Sequence, residues 1–319
     1  MPAVSVIVPV YNVESYIARC ARSLFSQTLK DIEFLFIDDC SPDRSIEIMR
    51  EVLEEFPERK EQVTVYRMPQ NSGQAKVRMC GLTQASGDYI IQCDSDDYVD
   101  TDAYELMYNK AKSEDLDIVT CDIAVERGRE HVKIIHGECT SVATMLIEKS
   151  CWSLTCRMIR FSLFDGIIPP VDNVGEDMVI SIQTLLKARN TGHIDSALYH
   201  YCLRDNSITL TPGNEAIFAR WSSFIKNATI IEDILKTNYG YSGNEPEMIK
   251  YKYNSRVLLR PLVHIPSYYK CWKATFPEVD KRVLFASTIS LEEKFWFVLI
   301  HLRLYHPVKC ITGWIKNRD

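Results

Sequence analysis

The sequence contains no apolar run near the roughly 18–20 residues that a bilayer-spanning helix requires. Its first residues carry no basic stretch followed by a long apolar core. Val4 to Val10 is short and gives way at once to Asn12 and Glu14, unlike a secretory signal. CxxC pairs are missing as well. The 11 cysteines sit mostly inside apolar runs, as Cys20, Cys80, Cys93 and Cys121 do, where a free thiol behaves as a small hydrophobe. Cys151 and Cys156 have no matched partners for a zinc site. Free thiols and a reducing, cytoplasmic compartment are expected. Positive charge is in deficit: the net charge of −6 argues against a nucleic-acid partner bound by phosphate neutralisation. No GxGxxG follows the first apolar run, where Pro9-Val10-Tyr11-Asn12 stands instead, so a dinucleotide-dependent dehydrogenase is disfavoured. The Gly-rich, Lys-bearing loop of P-loop enzymes is also missing.

What remains is globular material, with 46% hydrophobic and 25% charged residues. The length of 319 residues suits one large α/β domain with an appendage. Val4 to Val10 is β-branched and reads as a strand, and Tyr16, Ile17, Cys20 and Leu24 recur behind Asn12 at helical spacing. Phe34 to Ile37 is a second strand ending in Asp38-Asp39. Ser41-Pro42-Asp43 has the form of a helix start with Ser41 as cap, ahead of the stripe Ile46, Met49, Leu53 and Phe56. Strands over 63–66, 89–93 and 117–125 and helices over 75–85 and 101–112 continue the alternation. Such βαβ units imply an α/β fold with a mostly parallel sheet. Its ligands bind beyond the carboxyl ends of the strands. Tyr11-Asn12, Asp38-Asp39 and Asp94 to Asp97 all fall there.

The last of these clusters closes the apolar run Tyr89 to Cys93. Residues two apart on an extended chain share a side, so Asp94 and Asp96 converge on one object. Like charges that close repel unless a cation separates them, and oxygen ligands suit Mg²⁺ or Mn²⁺. An acidic turn with helix-capping residues has the same appearance.

Taken in order, these segments resemble family 2 glycosyltransferases with the GT-A fold, of the bacterial surface-polysaccharide type. The resemblance rests on Val4-Ser-Val-Ile-Val-Pro-Val-Tyr-Asn12, Tyr16-Ile17, Ser23-Leu24, Gln27-Thr28 and Ile37-Asp-Asp-Cys-Ser-Pro-Asp43. It continues through Asn71-Ser-Gly73, Ala75, Arg78, Gly87 to Ile90 and Asp94-Ser-Asp-Asp97. It resumes at Trp152, Ile159 to Phe164 and Gly175-Glu-Asp177, and ends near Tyr199-His-Tyr201, Arg204 and Ser207-Ile-Thr209. Cys40, Pro42 and Met79 depart from the family pattern, which often has Gly, Thr and Asn at those places. The expected layout is a GT-A catalytic domain over 1–214, its nucleotide-binding half over 1–100, and a helical region over 215–319.

The resemblance implies transfer of a sugar from a nucleotide-diphosphate donor to a hydroxyl of a glycan or lipid-linked acceptor, with inversion. Asp96 is then the first-choice ligand of a divalent cation, and Asp94 contacts ribose or supports that ion. His200 is a candidate third ligand, though a packed histidine fits as well. Asp39 would accept from the N3–H of uracil, which favours a UDP-sugar over a cytidine donor and leaves GDP open. Tyr11 would stack on the base. Pro9, Asn12, Glu14 and Ser95 would line the same donor site, with Arg78 supporting the nucleotide or pairing with an acid. Arg204 and Ser207 would hold the diphosphate. Asp177 is the expected general base and Glu176 its orienting neighbour, although acids at a helix start are also explained by the macrodipole. A catalytically idle nucleotide-sugar-binding scaffold and a nucleotidyltransferase are the rival readings. Beyond residue 215, the apolar, aromatic and basic mixture from Leu291 to Ile311 suits an amphipathic segment at a membrane surface. A helix packed on the catalytic domain, or on a second copy in a homo-oligomer, fits the same residues.

Overall fold

The computed structural model describes residues 1–128, 130–139, 141–148, 152–203 and 212–309. The chain divides into two units, Met1–Asp205 and Asn206–Asp319, where the sequence reading placed the division after residue 214.

The first unit runs β1 (Val4–Val10), α1 (Ile17–Phe25), β2 (Ile32–Asp38), α2 (Ser45–Leu53), β3 (Val63–Arg67), α3 (Gln74–Gln84), β4 (Tyr89–Gln92) and β5 (Tyr98–Val99). It continues with α4 (Ala103–Ser113), β6 (Ile118–Arg127), β7 (Glu130–Ile135), α5 (Val142–Ile147), β8 (Arg157–Arg160), α6 (Glu176–Lys187) and β9 (Thr191–Cys202). One sheet has the order β3-β2-β1-β4-β8-β6-β9-β5, with β7 beside β6. Its first half is wholly parallel, which requires helices on both faces and explains why these strands are near-continuous apolar runs. Its second half is mixed: β8 is antiparallel to β4 and β6, whereas β6 and β9 run parallel. Val4, Val6, Val8, Phe34 and Phe36 pack against Ile17, Cys20, Leu24 and Phe25 of α1. Among the described residues nine cysteines are free, and Cys20, Cys93, Cys121, Cys139 and Cys156 are buried.

The helix after β2 starts at Ser45 rather than behind Ser41. The residues that looked like its cap knit two loops together instead. Ser41 Oγ accepts the Asn12 N–H at 2.8 Å and donates to Asp43 Oδ1 at 2.6 Å. The other Asp43 oxygen accepts the Glu14 N–H at 2.9 Å, and Ser45 Oγ, which donates to Asp43, accepts from Val13. The turn after β1 is thus bolted to the turn after β2.

The second unit is helical: α7 (Asn214–Tyr239), α8 (Pro246–Val257), α9 (Pro266–Ala274) and α10 (Leu291–His301). Trp221, Tyr253, Leu259, Trp272, Phe297 and Ile300 form its core. Lys252 is buried there between Glu232 at 2.6 Å and Glu278 at 2.7 Å, as a desolvated ammonium requires. Among the described residues no helix is long and apolar enough to cross a membrane.

Candidate active site

The parallel half of the sheet brings three loops to one edge. Val10 is level with Asp38, and Ile7 with Gln92, so the residues following β1, β2 and β4 emerge side by side. Pro9 lies beyond the last β1–β4 pair, where its missing N–H removes no ladder bond on that side. Tyr11 projects at this edge with 46% of its surface exposed, free to stack on a planar ligand.

Asp39 is buried and already engaged. Its two carboxylate oxygens accept the N–H groups of Ser72 at 2.7 Å and Gly73 at 2.8 Å. Gly73 immediately precedes α3, so Asp39 fixes the loop that enters that helix. Each oxygen keeps a second lone pair for a base edge. Gly73 has φ 83°, and a Cβ there would lie 2.3 Å from the Asn173 side chain, so only glycine fits. Asn173 in turn accepts the Ala75 N–H at 3.1 Å. That contact joins the loop before α6 to the start of α3.

The acids meet around Arg78. This buried guanidinium donates to Asp94 Oδ1 at 2.8 Å and to Gln92 Oε1, and its Nε stands 3.5 Å from Glu176 Oε1. Gln74 adds a donor to the same Asp94 oxygen at 3.2 Å. Asp94 at the end of β4 and Glu176-Asp177 at the start of α6 therefore share one cation. Burial raises the Glu176 carboxyl to about 8, with the Asp177 charge adding to the rise and Arg78 opposing it. Burial also lifts Asp177, against Arg78 and the Met178 N–H that its Oδ1 accepts at 2.8 Å. Asp177 is half-buried, and among the described residues no side chain donates a hydrogen bond to its carboxylate.

Asp96 and Ser95 occupy the turn between Asp94 and Asp97, closed by the Asp97 N–H on Asp94 O at 3.0 Å. Asp97 is structural. Tyr199 Oη donates to its Oδ2 at 2.6 Å and the Cys202 N–H to its Oδ1 at 2.8 Å, so it holds the end of β9 against the turn. Its carboxyl is raised well above the usual range, first by burial and then by the charges of Asp96 and Asp94. That is the electrostatic mark of crowded carboxylates. The second Asp94 oxygen meets no donor among the described residues. An all-oxygen donor set with this excess of negative charge fits Mg²⁺ or Mn²⁺.

Of the two readings of His200, its contacts fit the packed histidine and not the metal ligand. Its Nδ1 lies 2.9 Å from Glu126 and its Nε2 2.9 Å from Asp100, and its ring stacks on Tyr98 at 4.2 Å. Both ring nitrogens are spent on carboxylates, which leaves neither for a metal ion. Glu14 accepts the Arg44 N–H at 3.2 Å and so belongs to the loop brace. Arg204 and Ser207 lie outside the described residues. Arg19, Gln74 and Asn173 were not singled out in the sequence. Arg19 donates to the Asp96 carbonyl at 3.2 Å and covers the Tyr98 ring. Ordinary helix and loop positions gave these residues no signal.

The model of the family described as glycosyl transferase family 2 matches residues 5–165, just over half of the chain. An uncharacterized glycosyltransferase, EpsJ of Bacillus subtilis (strain 168), is 30% identical over 231 residues, covering 68% of this chain and 66% of the relative. The chain thus spans just under two thirds of that protein. Among solved structures, S. aureus TarS 1-349 in complex with UDP-GlcNAc superposes with a TM-score of 0.62 at 18% identity, over 100% of this chain and 93% of that one. The mannosyltransferase PcManGT from Pyrobaculum calidifontis, in complex with GDP-Man and Mn²⁺, does so with a TM-score of 0.57 at 14% identity, over 97% and 86%. At these identities the likeness is one of fold.

Proposed function

The chain belongs to glycosyl transferase family 2, and from that premise we propose that it moves a sugar from a UDP-sugar to a hydroxyl of a glycan or lipid-linked saccharide in surface-polysaccharide synthesis. The observation that carries this reading is Arg78, which couples Asp94 on the donor side to the Glu176-Asp177 pair on the acceptor side. The UDP-GlcNAc bound by TarS and the Mn²⁺ bound by PcManGT support the donor class and the cation.

The donor's base lies against Tyr11 and Asp39, whose remaining lone pairs suit the N3–H of uracil. Asp96, with Asp94, would hold Mg²⁺ or Mn²⁺, which supplies charge neutralisation for the departing diphosphate. Asp177 takes the acceptor proton on its carboxylate while the hydroxyl attacks the anomeric carbon from the face opposite the diphosphate. Its raised pKa moves it toward working pH and makes it a better base than a solvated aspartate. Arg78 holds Asp94 and Glu176 in place. Inversion in one step needs no covalent nucleophile.

Release of UDP from a panel of UDP- and GDP-sugars, with Mn²⁺ or EDTA, tests the reading. Asp177→Asn is expected to lower kcat by about 10²-fold or more while donor binding persists, and Asp96→Ala to abolish the response to Mn²⁺. Wild-type turnover in Asp177→Asn would remove it as base, and unchanged metal dependence in Asp96→Ala would remove the cation site.

A further inference from the structure

A second group of ligating side chains lies on β6 and β9 and shares no residue with the acids around Arg78. Asp122, 3% exposed, points from the middle of β6. His193 Nε2 stands 3.2 Å from its Oδ1. Asp195 completes the group, with one ligand atom from each of the three residues lying within 4.8 Å of the others. The partner strand is shaped to supply that third residue. Cys121 pairs with Ile194 but Asp122 pairs with Ala197, so Asp195 and Ser196 form a bulge opposite the buried carboxylate. Bulges re-aim side chains in this way.

We propose that Asp122, His193 and Asp195 form a second divalent-cation site, of the class that takes Zn²⁺, which pins the bulge of β9. The ligand chemistry fits, since one imidazole and two carboxylates suit a borderline transition ion better than Mg²⁺. The spacing fits too. Zn²⁺ holds N and O ligands at about 2.0–2.2 Å, which sets tetrahedral ligand pairs about 3.4 Å apart, and the His193–Asp122 edge, at 3.2 Å, is close to this length. Asp195 is exposed and turns in without repacking.

The surroundings orient the ligands. Thr120 Oγ1 lies 2.9 Å from His193 Nδ1 and 3.4 Å from Gly192 O. With its proton on that carbonyl, Thr120 accepts from Nδ1–H. The Nε2 lone pair then faces the Asp122 carboxylate, and a cation between them removes the repulsion. Such outer contacts are what fix a ligating histidine. On Asp122, Oδ1 also accepts the Gly137 N–H at 2.9 Å and Oδ2 contacts His136 Nδ1 at 3.1 Å, which leaves one Oδ1 lone pair for the ion. β9 ends in the Tyr199 and Cys202 groups that hold Asp97, so an ion on the bulge stiffens the strand that supports the acidic turn.

The site stands independently of the donor reading and is tested apart from it. The full chain carrying Asp96→Ala, which removes the donor-side ligand, is dialysed against Co²⁺ alone. One ion per chain is expected, with the weak visible bands of nitrogen and oxygen ligation and no thiolate charge-transfer band. His193→Gln and Asp195→Ala in that background are each expected to weaken retention at least tenfold and to erase the rise in Tm that Co²⁺ or Zn²⁺ produces. The exposed Asp195 variant keeps the metal-free Tm. Failure of the Asp96→Ala chain to bind Co²⁺, a thiolate band, or full retention by both added variants would overturn the proposal.

Discussion

Cys40 adopts φ 62° in the turn after β2. That left-handed conformation costs an L side chain about 1–2 kcal/mol. Asn12, at φ 53° in the neighbouring turn, is of a type that tolerates it. The family's usual glycine at position 40 therefore has a backbone reason. Cys40→Gly is expected to raise unfolding free energy by about 0.5–1 kcal/mol, because relief of strain is partly offset by the larger entropy of an unfolded glycine. Cys40→Val is expected to lower it by more than 1 kcal/mol, since β-branching worsens the same strain. Urea titrations of the three proteins decide the point, and an order other than Gly above Cys above Val would remove the strain account. Positions of this kind show how far the sequence could be read. Asp39, Asp94 and Asp96 were legible because each follows an apolar strand, and the strand ends of a parallel sheet face one crevice. Their partners were not. The Ser72 and Gly73 amides that occupy Asp39 come from a turn with no periodicity of its own, and the job of His200 depends on a parallel pairing of β6 with β9 that alternation alone does not reveal.

Between elements, Asp117 is the junction that the pattern concealed. It stands at the head of β6, nearly inaccessible, and looks in the sequence like an ordinary strand-end acid. Arg160 of β8 donates to it at 2.7 Å, and Arg189, in the turn between α6 and β9, donates through its backbone at 2.9 Å and its side chain at 3.1 Å. Burial works to raise this carboxyl, but the Arg189 and Arg160 hydrogen bonds outweigh it and bring it down to about 2. A folded value below the unfolded one, about 3.9, stabilises the fold above pH 4, and the contribution fades as pH falls toward 2. Arg189 is largely exposed, so solvent screening leaves on the order of 1–2 kcal/mol. Asp117→Asn is expected to cost about that much at pH 7, and progressively less between pH 4 and 3. Denaturation curves at paired pH values measure this; a cost independent of pH would mean that packing, and not the charge, binds β6, β8 and β9 together.

At the scale of the whole molecule, the second unit carries the feature least like a soluble protein's surface. Leu291, Phe295, Val298 and Leu302 recur at helical spacing on and just beyond α10 and are 37–84% exposed, while Phe297 and Ile300 on the opposite side are buried. The 87% exposed Phe285 precedes them. A helix with apolar residues on both sides offers a face that a second partner besides its own core would cover. Residues 281–309 contain five Lys or Arg against two Glu, and Glu293 is spent on Lys250 and on the Ser290 cap. Net positive charge around an apolar stripe matches an anionic bilayer better than a second copy of the same positive surface. It also suits an enzyme whose acceptor is lipid-linked. The full chain is expected to float with vesicles containing anionic phospholipid, and less so as salt rises. Leu291→Glu with Phe295→Glu is expected to reduce that binding more than tenfold, since each exposed Leu or Phe loses about 1.5–3 kcal/mol of burial. Binding of the donor proposed above, which draws on the first unit, is expected to stay unchanged. Flotation unaltered by the double substitution would remove the membrane reading, and a dimer that the same substitutions convert to monomer would reassign the stripe to self-association.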